Sequence, residues 1–265
     1  MPSHETVDLQ VSGAAARLVL NRPDSLNAWN EQFGLDLRDA VESVAGDESI
    51  RALLITGAGR AFSSGADLKE QRNPDDDGGV PDLSARLREL YHPIITGIRE
   101  MPKPVIAAVN GPAVGIGCSL ALDCDLIWAA ESAYFLLAFV NIGLVPDGGS
   151  TAMLPARIGL ARATEMGMLG ERVPAERALE WGMVNRVVTD DELHSKAGEL
   201  LERLASGPTR SYANYKALLN RRLYADLAGQ LEAEAAAQRE QGHTEDFAEG
   251  VIAFAQKRPP EFSGR

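Results

Sequence analysis

Histidine and cysteine are scarce in this 265-residue chain, which holds four of the first and two of the second. His4, His92, His194 and His243 are scattered, and HTEDF from His243 lacks the second histidine of an HExxH helix. Neither a metal centre nor a histidine-based triad therefore has a local signature. Cys118 and Cys124 stand six apart without CxxC spacing, which reads as two buried thiols in a reduced compartment. No apolar run approaches the roughly 18 residues of a membrane span. The start, MPSHETVDLQ, has neither the basic region nor the apolar core of a secretory signal, so the expectation is a cytoplasmic protein. Positive charge is in deficit as well: 26 Lys and Arg against 38 Asp and Glu leave a net charge of −12. Such a field repels nucleic acid and anionic membrane surfaces, and it obliges any anionic ligand to meet local cations. GIGCSL starts like a dinucleotide-binding turn but has Leu120 where the third glycine belongs, and neither GxxxxGK[ST] nor GxSxG occurs.

What is present fits an ordinary globular α/β chain, 45% hydrophobic and 24% charged, long enough for one large domain or one domain plus an appendage. TVDLQVS, AARLVLN, NEQFGLDLRDAVESVAG and RALLITG predict strand, strand, helix, strand, with Phe33, Leu37, Val41 and Val44 on one helical face. Residues 70–82, EQRNPDDDGGVPD, read as an exposed mobile loop, and Asp75, Asp76 and Asp77 as a solvated charge run rather than a cation site. RALLITGAGRAFSSGADLKE and KPVIAAVNGPAVGIGCSLAL echo each other as buried strand, Gly-rich loop and helix start. If two such helix N-termini converge, their unpartnered N–H groups make a preformed site for one negative oxygen. From Leu193 the spacing turns helical. Punctuation at Gly207 and Pro208 predicts three helices in a separate layer, dividing the chain into a 1–192 core and a 193–265 oligomerisation region.

FSSGADLKE (62–70), KPVIAAVNGPAVGIGCSLALDCD (103–125) and IGLVPDGGSTAMLPARIG (142–159) together resemble the crotonase family, the enoyl-CoA hydratase/isomerase group. NRPDSLNAW, GERVPAERALEWGMVNRVV and FAQKRPPEF fit the same pattern in order. The resemblance implies a spiral of β-β-α units with a C-terminal helical trimerisation region, hence a homotrimer or dimer of trimers. It implies an acyl-CoA thioester as partner, with no separate cofactor and no metal. Motif by motif, the thioester oxygen falls to the backbone N–H groups of Ala66 and Ile116, each donor worth roughly 3–4 kcal/mol to an enolate. Arg22 and Lys69 match positions near the coenzyme, while Phe254 and Lys257 match a site that a neighbouring subunit offers to the adenine end.

Hydratases of the family use two glutamates. Ser119 and Phe139 stand at those positions, and neither supplies a carboxylate, so two-acid hydration is not expected. Asp147 in LVPDGG resembles instead the catalytic aspartate of the ring-opening and enoyl-CoA isomerases of phenylacetate breakdown. Phe139 and Leu144, assigned to the acyl pocket, would desolvate that carboxylate and raise its basicity. The alternative is that Asp147 caps the helix beginning near Ser150. The resulting expectation is an isomerase shifting a double bond from 3-enoyl to 2-enoyl-CoA, or isomerising a related ring epoxide. A non-catalytic acyl-CoA binding protein and an atypical hydratase are the alternatives.

Overall fold

A computed structural model describes residues 4–68 and 82–265. Strand β1 (Val7–Ser12) alternates less and more exposed positions and pairs antiparallel with β2 (Ala15–Leu20). Helix α1 (Glu31–Gly46) follows, capped by Asn30, whose side chain accepts from the Phe33 N–H at 2.9 Å. Phe33, Leu37, Val41 and Val44 are all fully buried, as their spacing predicts. The next strands, β3 (Ala52–Gly57) and β4 (Val105–Val109), are buried at every position, the mark of a parallel sheet covered on both faces. Between them lie α2 (Leu83–Arg86), a π-helical turn at Leu87–Tyr91 and α3 (His92–Glu100).

The middle of the chain supplies β5 (Ala113–Val114), α4 (Ile116–Asp123), β6 (Leu126–Ala130), β7 (Tyr134–Leu136), α5 (Ser150–Ile158) and α6 (Leu160–Leu169). Then come β8 (Val173–Pro174), α7 (Ala175–Glu180) and β9 (Arg186–Val188). One six-stranded sheet has the order β1-β2-β3-β4-β6-β9, parallel apart from its first pair, and a smaller one has the order β5-β7-β8. Isolated bridges from Trp29 to Ala66 and from Ser63 to Ala113 carry the small sheet backward along the chain. Each turn thus lays one strand in the large sheet, one short extended segment in the small sheet, and then a helix. Stacked turns of this kind form the spiral that the motifs imply.

Four helices, not three, close the chain: α8 (Leu193–Ala205), α9 (Thr209–Leu223), α10 (Leu227–Gln241) and α11 (Glu245–Gln256). Gly207 and Pro208 punctuate the chain between the first two. Helix α8 packs across β3, β4 and β6, and α10 lies against α2 and α5. The region beyond residue 193 therefore covers the sheet and reaches the inner turns. Residues 70–81 of the loop expected to be mobile, with Asp75, Asp76 and Asp77, lie outside the described residues, as does Lys69 just before it. Asp82 at its end caps α2, accepting from the Ser84 N–H at 3.0 Å. No helix among the described residues is long and apolar enough to cross a membrane.

The loop after β3 is held from both sides. Asn27, in a left-handed conformation (φ 56°), donates to the carbonyls of Ala58 (3.0 Å), Ala61 (2.8 Å) and Phe62 (3.2 Å). Asn110 accepts from the Gly57 N–H at 3.0 Å and donates to the Gly59 carbonyl at 3.0 Å. Gly57 leaves no room: a Cβ there would collide with the Ala61 carbonyl oxygen and sit 2.7 Å from that of Phe62. Gly57→Ala is accordingly expected to cost about 1–3 kcal/mol or more. Gly46→Ala, at the open end of α1 with nothing within 4 Å, should be neutral or stabilising by about 0.5–1 kcal/mol. Urea unfolding of both variants checks the contrast.

Candidate active site

Three successive turns of the spiral converge on one point. In the second and third, Ser63 donates to the Pro112 carbonyl at 3.0 Å and accepts from the Val114 N–H at 2.9 Å, so the two loops run parallel. They touch at a pair of glycines, Gly65 (φ +88°) and Gly115 (φ +54°). A Cβ on Gly65 would lie 2.8 Å from the Val114 carbonyl oxygen and 3.7 Å from the Gly115 Cα. The residues that follow these glycines are Ala66 and Ile116.

Each of those two N–H groups is left over for a different reason. The bridge to Trp29 uses the Gly65 carbonyl (2.8 Å) and the Asp67 N–H (3.0 Å). Extended backbone alternates its amides, so the Ala66 N–H faces away from that bridge. Ile116 is the first residue of α4, where the first intrahelical bonds come from the Cys118 and Ser119 N–H groups to Gly115 at 2.8 and 3.1 Å. Its own N–H belongs to the helix's unpartnered first turn, at the positive end of the dipole. Only one of the two expected helix starts is present: Ala66 sits in a bridge, and the described residues through Leu68 form no helix.

The next turn supplies the acid. After β7 a 3-10 turn (Ala138–Ile142) ends at Gly143 (φ +74°), and the chain runs to Asp147 just before α5. Its backbone is fixed by two hydroxyls: Ser119 Oγ donates to the Asp147 carbonyl at 2.7 Å and Ser150 Oγ at 2.8 Å. Ser119, standing where hydratases of the resembling family carry a glutamate, is thus a brace for the aspartate's backbone. Gly148 (φ +63°) packs on α4, where a Cβ would collide with the Ile116 side chain.

The Asp147 side chain is 4% exposed. Its Oδ2 accepts from Gln238 Nε2 at 2.8 Å, and its Oδ1, also shut off from solvent, has no partner. Burial pushes this carboxyl well above the ordinary carboxylate range, the negative charge of Glu234 adds to the effect, and the Gln238 bond opposes it. Asp147 does not cap α5. That role falls to Glu234 of α10, which accepts from the Gly149 N–H at 2.8 Å, the Thr151 N–H at 3.1 Å and the Thr151 hydroxyl. The N-cap residue itself is Gly149.

Ala66, Ile116 and Asp147 all line a cavity of about 1270 Å³, together with Phe139, Leu144 and Phe254. Phe254 is 63% exposed and stands at the rim of its own chain's cavity. Arg22 is not on the wall. It pairs with Asp67 at 3.2 Å and donates to the Ala28 carbonyl at 2.5 Å, tying the NRP turn to the loop that carries Ala66. Lys257, exposed in a left-handed conformation (φ 54°) after α11, is also off the wall, and Lys69 lies outside the described residues. Sequence reasoning missed the cations that do line the cavity, Arg60, Arg86, Arg172 and Arg258. Arg172 stacks on Tyr134 with its guanidinium 4.6 Å from the ring centroid, and Arg258 is paired to Glu249.

Also missed were Tyr91, Glu234 and Gln238. Tyr91 lines the cavity with its phenol pushed above the usual range, first by burial and then by the charge of Asp147, so it stays a neutral donor. A signal for the other two existed in LEAEAAAQ: Leu231, Glu234, Ala235 and Gln238 share one helical face and are all buried. Polar residues at core positions need partners, and here the partners are in the site.

The buried acid also carries a stability cost. Because the folded-state value of Asp147 is raised, its favourable contribution is present below the ordinary value near 3.8 and is lost as pH rises through the raised value. Asp147→Asn removes that loss. It should stabilise the protein at pH 8, and the gain should vanish near pH 4. Denaturant unfolding of both proteins across this range checks the sign.

Residues 10–265 match the enoyl-CoA hydratase/isomerase family model. The chain is 43% identical over 248 residues to a 1,2-epoxyphenylacetyl-CoA isomerase of Escherichia coli, covering 94% of each protein. It is 34% identical over 255 residues to a trans-2-decenoyl-[acyl-carrier-protein] isomerase of Streptococcus mutans, covering 96% of this chain and 97% of that one. Its structure superposes on that of an enoyl-CoA hydratase from Mycobacterium avium subsp. paratuberculosis with a TM-score of 0.89 at 37% identity, over 98% of this chain and all of the other. With the spiral, the paired loops and the motifs all in one chain, this protein belongs to the enoyl-CoA hydratase/isomerase family.

Proposed function

We propose that the protein is an enoyl-CoA isomerase in which Asp147 moves the proton and the Ala66 and Ile116 N–H groups hold the thioester oxygen. One observation carries this reading: among the described residues, Asp147 is the only buried carboxylate that lines the cavity. A single base suffices for a 1,3-proton shift. It takes a proton from C2 of a 3-enoyl thioester, the C3=C4 double bond moves to C2=C3 through an enolate, and the same carboxyl returns the proton to C4. Negative charge collects on the thioester oxygen in the enolate, where two oriented donors would meet it. Hydration by paired glutamates has no counterpart, since Ser119 is committed to the Asp147 backbone and Phe139 is an apolar wall.

The relatives extend the substrate class. Isomerases acting on an aryl epoxide thioester and on a decenoyl chain both match over nearly the full length, so the reading covers 3-enoyl thioesters and ring epoxides of aryl-acetyl-CoA. Coenzyme A is part of the substrate, and its phosphates would meet Arg60, Arg86 or Arg172 at the cavity mouth. Arg22 and Lys257 would serve the coenzyme only through rearrangement or a neighbouring subunit. The chain is read as a homotrimer or dimer of trimers built with its 193–265 region. The exposed apolar side chains of α9, Tyr215, Leu218 and Leu223, support such an interface.

Incubation with a 3-enoyl-CoA should produce the conjugated absorbance of the 2-enoyl product, and a 2-enoyl-CoA should not lose it by hydration. Asp147→Asn should lower kcat by about 10²- to 10⁴-fold while acyl-CoA still binds. An unchanged rate in that variant rules the base out. Ile116→Pro deletes one donor at a first helical position, where proline is sterically tolerated. A fall in kcat of about 10²- to 10³-fold, with a smaller change in KM, is expected. Sedimentation should give three or six times 28.4 kDa.

A further inference from the structure

We propose that Gln238 is a positioning residue for the proton shuttle: it occupies Oδ2 of Asp147 and so assigns proton transfer to Oδ1. The inference rests on Asp147 being the base and goes beyond it by distinguishing the carboxylate's two oxygens. Gln238 is 1% exposed and lies on α10, ninety-one residues along the chain from the acid it touches. Its Nε2 is 2.7 Å from the Val145 carbonyl oxygen and 2.8 Å from Asp147 Oδ2.

The first of these contacts fixes the orientation of the amide. A main-chain carbonyl can only accept, so the nitrogen and not the oxygen of Gln238 must face Val145. The second hydrogen of that nitrogen then points to Asp147 Oδ2, which makes the contact an N–H donor to a carboxylate. The opposite arrangement would put two acceptors face to face. The amide keeps this orientation although its own Oε1 is left buried with no partner, an arrangement that costs stability and is not explained by packing alone. With Oδ2 engaged by the amide, the oxygen left without any hydrogen bond is Oδ1, which is dry. A base whose two oxygens were equivalent could rotate about its Cβ–Cγ bond and lose alignment with C2 and C4. Gln238 removes that freedom.

The same helix carries a counterweight. Glu234 lies one turn earlier on the same face, and its charge raises the proton affinity of Asp147 while the Gln238 donor lowers it. The other titratable group facing Asp147 is Tyr91 from the π-helical turn, whose proton affinity the nearby charge of Arg86 lowers in part. Asp123, at the end of α4, adjoins Gly149 and couples to Glu234. Changes at positions 238 and 234 should therefore move the titration of the base in opposite directions, which general damage to the site would not do.

The test is the pH dependence of kcat/KM for isomerisation in the full-length protein. Gln238→Leu keeps the approximate shape and removes the donor. It should lower kcat about 10- to 100-fold with little change in KM, and should move the acid limb of the profile upward by about one pH unit. Gln238→Glu, of the same shape but without the amide donor, should move the limb at least as far and serves if the leucine variant does not fold. Glu234→Gln should move it to lower pH. A limb that stays at the wild-type position in the folded position-238 variant, or that moves in the same direction for both positions, overturns the assignment of Gln238. The two readings fail separately: loss of activity in Asp147→Asn with an unmoved limb at position 238 removes Gln238 alone, whereas full activity in Asp147→Asn removes the base itself.

Discussion

The site depends on one carboxylate being kept dry. An ionised acid taken out of water is costly, and proteins usually answer with an ion pair or with several donors to the charge. Asp147 receives a single neutral donor, and the charge that acts on it is that of another acid, Glu234. Burial and the acid neighbour raise proton affinity, and the single donor opposes them without cancelling them. Such an environment serves badly as a stabilising contact and well as a base that must take a proton from carbon, because basicity and burial penalty are the same quantity viewed from two sides. The rest of the local structure holds this unfavourable group in place: two hydroxyls on its carbonyl, a left-handed glycine behind it, and an amide on one oxygen.

The spiral explains why a distant pair of backbone amides can be trusted to meet this acid. Adjacent turns are locked in parallel register, first by β3 on β4 and then by the bridge from Ser63 to Ala113. Ala66 and Ile116 lie three residues beyond the two members of that bridge. Their alignment is therefore inherited from sheet hydrogen bonds and does not rely on the mobility or identity of any side chain. That is why isoleucine is acceptable at position 116. Only the glycines before the donors are constrained: a Cβ on Gly65 would press on the Val114 carbonyl oxygen, and Gly115 holds a φ of +54° that side chains rarely adopt.

Much of this was legible in the sequence because it lies in local patterns. The strand, strand, helix, strand opening, the Gly-rich loops and the start of α5 at Ser150 follow from periodicity and turn chemistry. The assignment of Asp147 came from a motif, and its depth in the cavity could not be read from LVPDGG, since the same string would suit an exposed cap. Glu234 takes the capping role from 83 and 85 residues away, a distance at which no local rule operates. Arg22 shows what a motif leaves out: it suggests a ligand contact, and it does not reveal that in the folded chain the guanidinium is paired with Asp67 of the neighbouring motif. Phe254 and Lys257 were assigned to a neighbouring subunit, an arrangement that one chain's sequence does not encode directly.

Helix α4 shows how a short element can be tuned from its far end. Its N-terminal Ile116 N–H faces the cavity, whereas its C-terminal carbonyls are met by cations. Arg157 bonds the Leu122 carbonyl at 2.9 Å and the Cys124 carbonyl, and Arg99 bonds that of Asp123 at 2.8 Å. Arg99 and Lys216 also hold Asp125 at 3.3 and 2.8 Å, so this basic cluster is itself partly neutralised. The side-chain carboxyl of buried Asp123 has no hydrogen bond, and burial raises it well above the ordinary range. Positive groups at a helix C-terminus complement the negative end of the dipole. With that end satisfied inside the protein, the unsatisfied positive end is the one presented to the cavity, where a transient oxyanion would complete it. The charges around the candidate site are thus divided along one helix, cations at the buried end and unpartnered donors at the open end, with Asp147, the proposed base, delivered by the next turn of the spiral.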